Sequence, residues 1–293
     1  MSLPVFMLLA ILGSYGLVRR AFRPLENIIA TAQSINEARD LSLRIGLPPG
    51  RDEFSRLADT FDQLFARLEQ SFEAEKQFTA DASHELRTPV SIIKGACEYA
   101  EKYDESPEDR QETISMIHRQ ADRMAVLITQ LLSMTRLEQR TEIIRMTEVD
   151  LPELVRSLCQ EQGWDQHRLH LSLPDTLPVR ADSTLLSRLL RNLVENAFKY
   201  SGPDSPIWIR VARNEKEVLL SVEDRGIGIR QDQQEKVWQR FYQVDQARGV
   251  EQDGTGLGLS IVQQIAAIHG GYMTLESVLG KGSCFCLHLP MEP

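Results

Sequence analysis

The chain has 293 residues, room for two or three compact domains, with 42% hydrophobic and 26% charged residues and a formal net charge of −9. That acidic balance gives no reason to expect nucleic-acid binding. Cys97, Cys159, Cys284 and Cys286 show neither CxxC spacing nor a neighbouring histidine cluster, which argues against a disulfide framework or zinc site and makes a reducing compartment the default. The first element is the uncharged run "LPVFMLLAILGSYGLV", Leu3 to Val18, followed at once by Arg19, Arg20 and Arg23. A membrane crossing takes roughly 20 apolar residues, so the run is slightly short. A signal peptide would place its charges ahead of the apolar run and a small-residue cleavage site behind it, and this segment does neither. Basic residues on the C-terminal side predict a transmembrane helix over 1–18, the last span of a longer protein, in contact with membrane lipid and leaving on the cytoplasmic face. A buried core helix is the competing reading.

Next comes "RPLENIIATAQSI", with Leu25, Ile28, Ile29, Ala32 and Ile35 at helical spacing. A connector broken by Pro48, Pro49 and Gly50 leads to a second helical stretch carrying Phe54, Leu57, Ala58, Phe61, Leu64, Phe65, Leu68 and Phe72. Two short amphipathic helices around a connector resemble a HAMP signal-relay module, here 19–71, with Pro24 and "DEFSRLADTFD" where that family places its proline and its acidic helix start. A generic helical linker is the alternative.

From Phe72 the period continues through Thr79, Ala82, Leu86, Pro89, Ile93 and Ala96, and a second helix repeats it at Ile114, Ile117, Ala121, Met124, Ile128, Leu131 and Thr135. "YDESPED" separates the two as a polar turn. One hairpin cannot close a core, whereas two pairing as a four-helix bundle can, so 72–140 predicts a homodimer. After Arg140 the pattern changes. Leu151–Cys159 and Ser183–Tyr200 read as helices; Leu169–Leu173, Pro178–Ala181, "PIWIRVAR", "EVLLSVED", "GYMTLESV" and "SCFCLHL" read as strands. This mixture predicts an α+β two-layer sandwich over 147–290.

His84 lies two residues past Ala82, roughly 200° around a helix, and so points away from the dimer stripe. Thr88 shares its outward face one turn on, and Glu85 is adjacent. Pro89 removes a backbone N–H and clashes with the carbonyl of Glu85, a distortion of about 3 kcal/mol that predicts a helix built to flex below the pair. A harmless kink is the alternative.

"FTADASHELRTP" resembles the phosphoacceptor box of sensor histidine kinases. "NLVENAFKYS", "VEDRGIGI", "VWQRFYQVD", "GTGLGLSIV" and the closing "GKGSCF" follow in that family's order, so the likeness runs from His84 to the end of the chain. It implies a dimeric phosphoacceptor hairpin and an ATP-binding domain of the gyrase–chaperone–kinase fold, using Mg-ATP and passing phosphoryl to a response-regulator aspartate. It also implies a bacterial inner-membrane protein with its catalytic region in the cytoplasm.

The residues fit that chemistry. Asn192, Asn196 and Lys199 fall at i, i+4 and i+7 on one helix face. Asn196 supplies an oxygen to Mg²⁺, an ion that takes few protein ligands, and Lys199 a charge to the phosphates. Tyr200 resembles the residue flanking the adenine. Asp224, ending a strand whose Leu220 and Val222 should face the core, can accept from the adenine's exocyclic amine. Gly226 and Gly228 let backbone approach the ligand. Gly254, Thr255, Gly256, Leu257 and Gly258 introduce a helix whose N–H groups suit phosphate, although no Walker GK[ST] follows.

The segment between Gln239 and Gly254 reads as a mobile lid, hinged on Phe241 and Tyr242. Gln243 stands where the resemblance implies arginine, which leaves that site without a lid cation; Arg240 or Arg248 could serve instead. Asn192 stands where hydrolysing members of the superfold place glutamate; an amide is no general base, so bound ATP awaits another nucleophile. That nucleophile is His84, with Glu85 taking its proton. The "HELRT" pattern resembles that of members that also dephosphorylate their regulators, where Thr88 would aim a water; bonding to the carbonyl of His84 is the structural alternative. Two rivals remain at this level, a non-kinase ATPase clamp of the same superfold and a catalytically inactive membrane scaffold.

Overall fold

The structure is a computed structural model that describes residues 7–8, 11–16, 29, 42–46, 53–103, 106–139, 143–244 and 254–291. The chain falls into two compact units, Met1–Ala80 and Asp81–Pro293. In the first, residues 7–8 and 11–16 are helical, and among the described residues no helix is long and apolar enough to cross a membrane. The expected span at Leu3–Val18 lies partly outside the described residues, and most of the expected first HAMP helix wholly outside them.

Helix α1, Glu53–Tyr103, is one uninterrupted helix where two successive domains were expected to meet, and it continues through Pro89. Its N-terminal part grips the end of the connector. The Asp62 carboxylate accepts from the backbone N–H groups of Ile45 (2.7 Å) and Gly46 (3.1 Å), and Arg44 pairs with Glu69. Ala58 and Ser55 are buried there, and Phe61 stacks on Phe65.

In the second unit, α2 (Pro107–Glu138) starts where Ser106 accepts from Asp109 N–H at 3.0 Å and Pro107 occupies the first turn, whose N–H needs no partner. The expected stripe of α1 is half-buried at Ala82, Leu86 and Ile93 and buried at Pro89 and Ala96, with Thr79 exposed in the first unit. On α2, Ile114, Ala121 and Ile128 of the stripe remain exposed. Leu127, Met134 and Leu137 are buried instead.

The remainder is a two-layer α+β sandwich. Strands β2 (Leu169–Ser172), β4 (Ile207–Arg213), β5 (Glu217–Asp224), β6 (Tyr272–Val278) and β7 (Gly282–Pro290) form one sheet in the order β2-β4-β5-β7-β6. Only β2–β4 is parallel. A second pair joins β1 (Thr147–Asp150) antiparallel to β3 (Pro178–Ala181), in register Thr147 to Ala181. The β1 strand was not expected.

Helices α3 (Leu151–Glu161), α4 (Ser183–Tyr200) and α5 (Gly258–Ile268) form the second layer. Helix α4 begins where Asp182 accepts from Thr184 N–H (3.0 Å) and Leu185 N–H (3.1 Å). It buries Leu185, Leu186, Leu189, Leu190, Leu193, Val194 and Ala197, an apolar stripe at helical spacing. Val218, Leu220 and Val222 of β5 bury the facing side of the sheet, with Asp224 at the end of the same row.

Candidate nucleotide site and phosphoacceptor helix

At the end expected to take the base, Asp224 is buried and its Oδ1 accepts from Gly226 N–H at 2.7 Å. Burial pushes its carboxyl above the usual aspartate range, partly offset by N–H groups of Gly226 and Ser283. Gly226 admits no side chain, since a Cβ would lie 2.1 Å from the carbonyl oxygen of Tyr200. That contact and the bond from Ile227 N–H to Tyr200 carbonyl (3.1 Å) tie the end of β5 to the end of α4. The cavity beside them is lined by Asp224, Asn196, Tyr200, Ile229, Val237 and Phe285, apolar walls around one buried carboxylate. Burial also raises the Tyr200 phenol.

At the end expected to take the phosphates, a polar cleft collects Asn192, Asn196, Lys199, Gly254, Thr255 and Gly258. Asn192 donates to the carbonyl of Arg188 at 2.9 Å, which turns its Oδ1 towards Gly258 at the start of α5. The Lys199 head sits beside Gly254, where a Cβ would meet it at 2.7 Å. The Asn196 amide lines both this cleft and the cavity beside Asp224.

The glycine loop is held by strained backbone. Phe241 adopts φ 59°, costly for an aromatic residue, and donates its N–H to the Gly256 carbonyl at 3.0 Å. A Cβ at Gly256 would meet the Phe241 carbonyl carbon at 2.6 Å. Gln243 donates to the Gly254 carbonyl at 2.6 Å, closing the two ends of the expected lid on each other. Arg240, a lid-cation candidate, pairs with Glu138 of α2, while Arg248 lies outside the described residues.

Three of the expected residues stand behind the cleft rather than in it. Leu257 is fully buried in the core, Gly226 backs Asp224, and Phe241 backs Gly256. Conversely, Ile229, Val237, Gln243 and Phe285 line the base cavity without having been singled out as binding residues. Gln130 of α2 reaches the phosphate end, accepting from the Thr255 hydroxyl. No sequence signal marks Gln130, because the contact joins distant parts of the chain.

On α1, His84 and Thr88 are exposed, Glu85 is half-buried and Pro89 is buried. The Thr88 hydroxyl donates to the His84 carbonyl at 3.4 Å, the structural alternative foreseen for it, though the bond is long. The four cysteines are free thiols; burial pushes Cys159 and Cys286 up to about 11, so neither offers a thiolate near neutral pH. Among the described residues no cluster of three or more His, Cys, Asp or Glu side chains could hold a metal ion.

Residues 16–70 match the HAMP domain, 74–140 the His Kinase A (phospho-acceptor) domain, and 181–293 the histidine kinase-, DNA gyrase B- and HSP90-like ATPase family. The chain is 37% identical to the sensor histidine kinase RppB of Synechocystis over 228 residues, 76% of this chain and 50% of that protein. It is 32% identical to the sensor histidine kinase YkoH of Bacillus subtilis over 270 residues, 91% of this chain and 59% of that protein. It thus spans little more than half the length of these curated relatives.

Among solved structures, the histidine kinase ThkA in complex with the response regulator TrrA superposes with a TM-score of 0.62 at 24% identity, covering 91% of this chain and 83% of that one. The Acinetobacter baumannii histidine kinase AdeS gives 0.59 at 23% identity, covering 72% and 98%. These two likenesses carry the fold. With a HAMP module, a phosphoacceptor hairpin and an ATPase domain in succession, the chain belongs to the HAMP-containing sensor histidine kinases.

Proposed function

We propose that this chain binds Mg-ATP between Asp224 and the glycine loop, phosphorylates His84, and passes the phosphoryl group to an aspartate of a response regulator. The observation that carries the reading is the amide at Asn192. It lines a polar cleft next to the cavity of Asp224, at the position where a hydrolysing enzyme needs a base, so on this reading the γ-phosphoryl group is kept for the imidazole. A ring nitrogen of His84 attacks the γ-phosphorus, the bond to the β–γ bridging oxygen breaks, and ADP leaves. The proton of the other ring nitrogen goes to Glu85. Mg²⁺ supplies charge neutralisation when bound, and the Asn196 amide, an oxygen donor lining the cleft, is the side chain that would hold it.

Thr88 is assigned to the reverse flow. Its long bond to the His84 carbonyl leaves the hydroxyl able to hold a water against the regulator's phosphoaspartate. The exposed Ile114, Ile128 and Leu132 of α2 are apolar surface that a second hairpin would bury, which supports a homodimer. The charge-free Leu3–Val18 run before Arg19, Arg20 and Arg23 supports a membrane anchor with the catalytic region in the cytoplasm. The ThkA–TrrA complex supports a response regulator as partner.

The test is incubation with ATP labelled at the γ-phosphate. Acid-labile, base-stable label is expected on the parent and none on His84→Gln, with nucleotide affinity nearly unchanged because the two sites lie on different elements. Histidine label persisting in the variant would remove His84 from the role.

A further inference from the structure

Glu85 and Arg123 meet across the hairpin. Glu85 projects from α1 beside His84, Arg123 projects from α2, and Nη2 lies 3.9 Å from Oε2. The arginine side chain is only 21% exposed and the carboxylate 35%. Other charges nearby have other dispositions. Arg87 and Arg119 are exposed, and Asp122 is turned along its own helix to His118 at 3.4 Å.

A pair this accessible contributes about 0–1 kcal/mol to a fold, too little to explain why a long cationic side chain is laid down across two helices. Its separation is a Coulomb contact rather than a hydrogen bond, since a bond needs about 3.2 Å or less. The carboxylate is therefore drawn towards the guanidinium while its lone pairs stay open to a proton. A bidentate clamp would have occupied those lone pairs.

We infer that Arg123 is a positioning residue for His84 phosphorylation, holding the Glu85 carboxylate where it can take up the imidazole proton. The inference rests on the phosphotransfer reading above. It adds a residue of the second hairpin helix to the reaction, one that pairs with Glu85 and does not line the proposed nucleotide cleft. An arginine that acts through Glu85 changes the rate of the step at saturating ATP and leaves ATP binding alone. It also has no effect to exert once Glu85 can no longer accept a proton.

The experiment compares the full chain with Arg123→Gln, Arg123→Lys, Glu85→Gln and the double variant Arg123→Gln/Glu85→Gln, by initial rates of histidine labelling across ATP concentrations. Arg123→Gln should lower the maximal rate about tenfold with KM for ATP and Tm unchanged. Arg123→Lys should restore most of the rate, because a point charge suffices for a contact without directed bonds. The double variant should be no slower than Glu85→Gln alone. Arg123→Met, which keeps the packed stem, replaces Arg123→Gln if the latter melts early. An unchanged maximal rate in a folded variant, or losses that multiply in the double variant, would overturn the role of Arg123. Absence of histidine label in the parent would instead overturn the phosphotransfer reading itself.

Discussion

Asp224 shows how a residue proposed for binding can oppose the fold that holds it. Its carboxyl is raised by burial, so ionising it inside the sandwich costs stability. The sign follows directly. The stability this group lends is present below the ordinary aspartate pKa and is lost as pH rises through the raised folded value. At neutral pH the fold therefore carries a penalty, and Asp224→Asn should raise Tm rather than lower it. The same substitution should weaken ATP binding about ten- to a hundredfold, because the amide offers a donor where the adenine amine needs an acceptor. In the parent, affinity should decline on acidification from a higher pH than an ordinary aspartate would dictate. Fluorescent-nucleotide titration against pH, with melting curves alongside, checks all three. A variant that binds ATP as tightly as the parent would move the adenine site elsewhere.

Helices α4 and α5 share a junction built on one buried histidine. Nε2 of His269, at the end of α5, accepts from the backbone N–H of Asp182, the N-cap of α4, at 3.0 Å. Its Nδ1 donates to the Ile265 carbonyl at 2.8 Å, an assignment made from the partners' chemistry. One side chain thus closes one helix and holds the start of the helix that carries Asn192, Asn196 and Lys199. His269→Leu keeps the bulk and leaves the Asp182 N–H buried without an acceptor. It should cost about 1–3 kcal/mol in denaturant unfolding and lower ATP affinity only as far as the start of α4 loosens. A stability unchanged within about 0.5 kcal/mol would mean the junction does not depend on that bond.

Across the unit Asp81–Pro293, α2 meets the nucleotide domain along one face. Gln130, Met134 and Glu138, successive turns apart, reach Thr255, Ser260 and Arg240 respectively, with Leu127 and Leu137 buried beside them. Thr255 belongs to the glycine loop and Arg240 to the entry of the expected lid, so this face of the hairpin touches both segments that flank the proposed nucleotide site. The Glu138–Arg240 pair is partly exposed and worth about 1 kcal/mol at most. Glu138→Ala should therefore raise amide exchange around Leu137 and at the lid entry by about fivefold without unfolding either domain. Exchange unchanged at both places would show that the apolar contacts alone hold the surface.

Local rules determined much of this protein without help from the fold. Helix α4 has the expected bounds, Ser183–Tyr200, and β5 those expected from alternation, Glu217–Asp224, because periodicity acts within a few residues. The Asn192, Asn196 and Lys199 face was legible for the same reason. Strand β1 was not, since "TEVD" sets two strand-favouring residues against two acidic ones and becomes a strand only against β3. The parallel pairing of β2 with β4, the walls that Val237 and Phe285 give the base cavity, and the contacts of Gln130 and Arg123 were also illegible. Each joins residues far apart in the chain. Which of them meet is settled by the packing of whole layers, which no window of sequence contains.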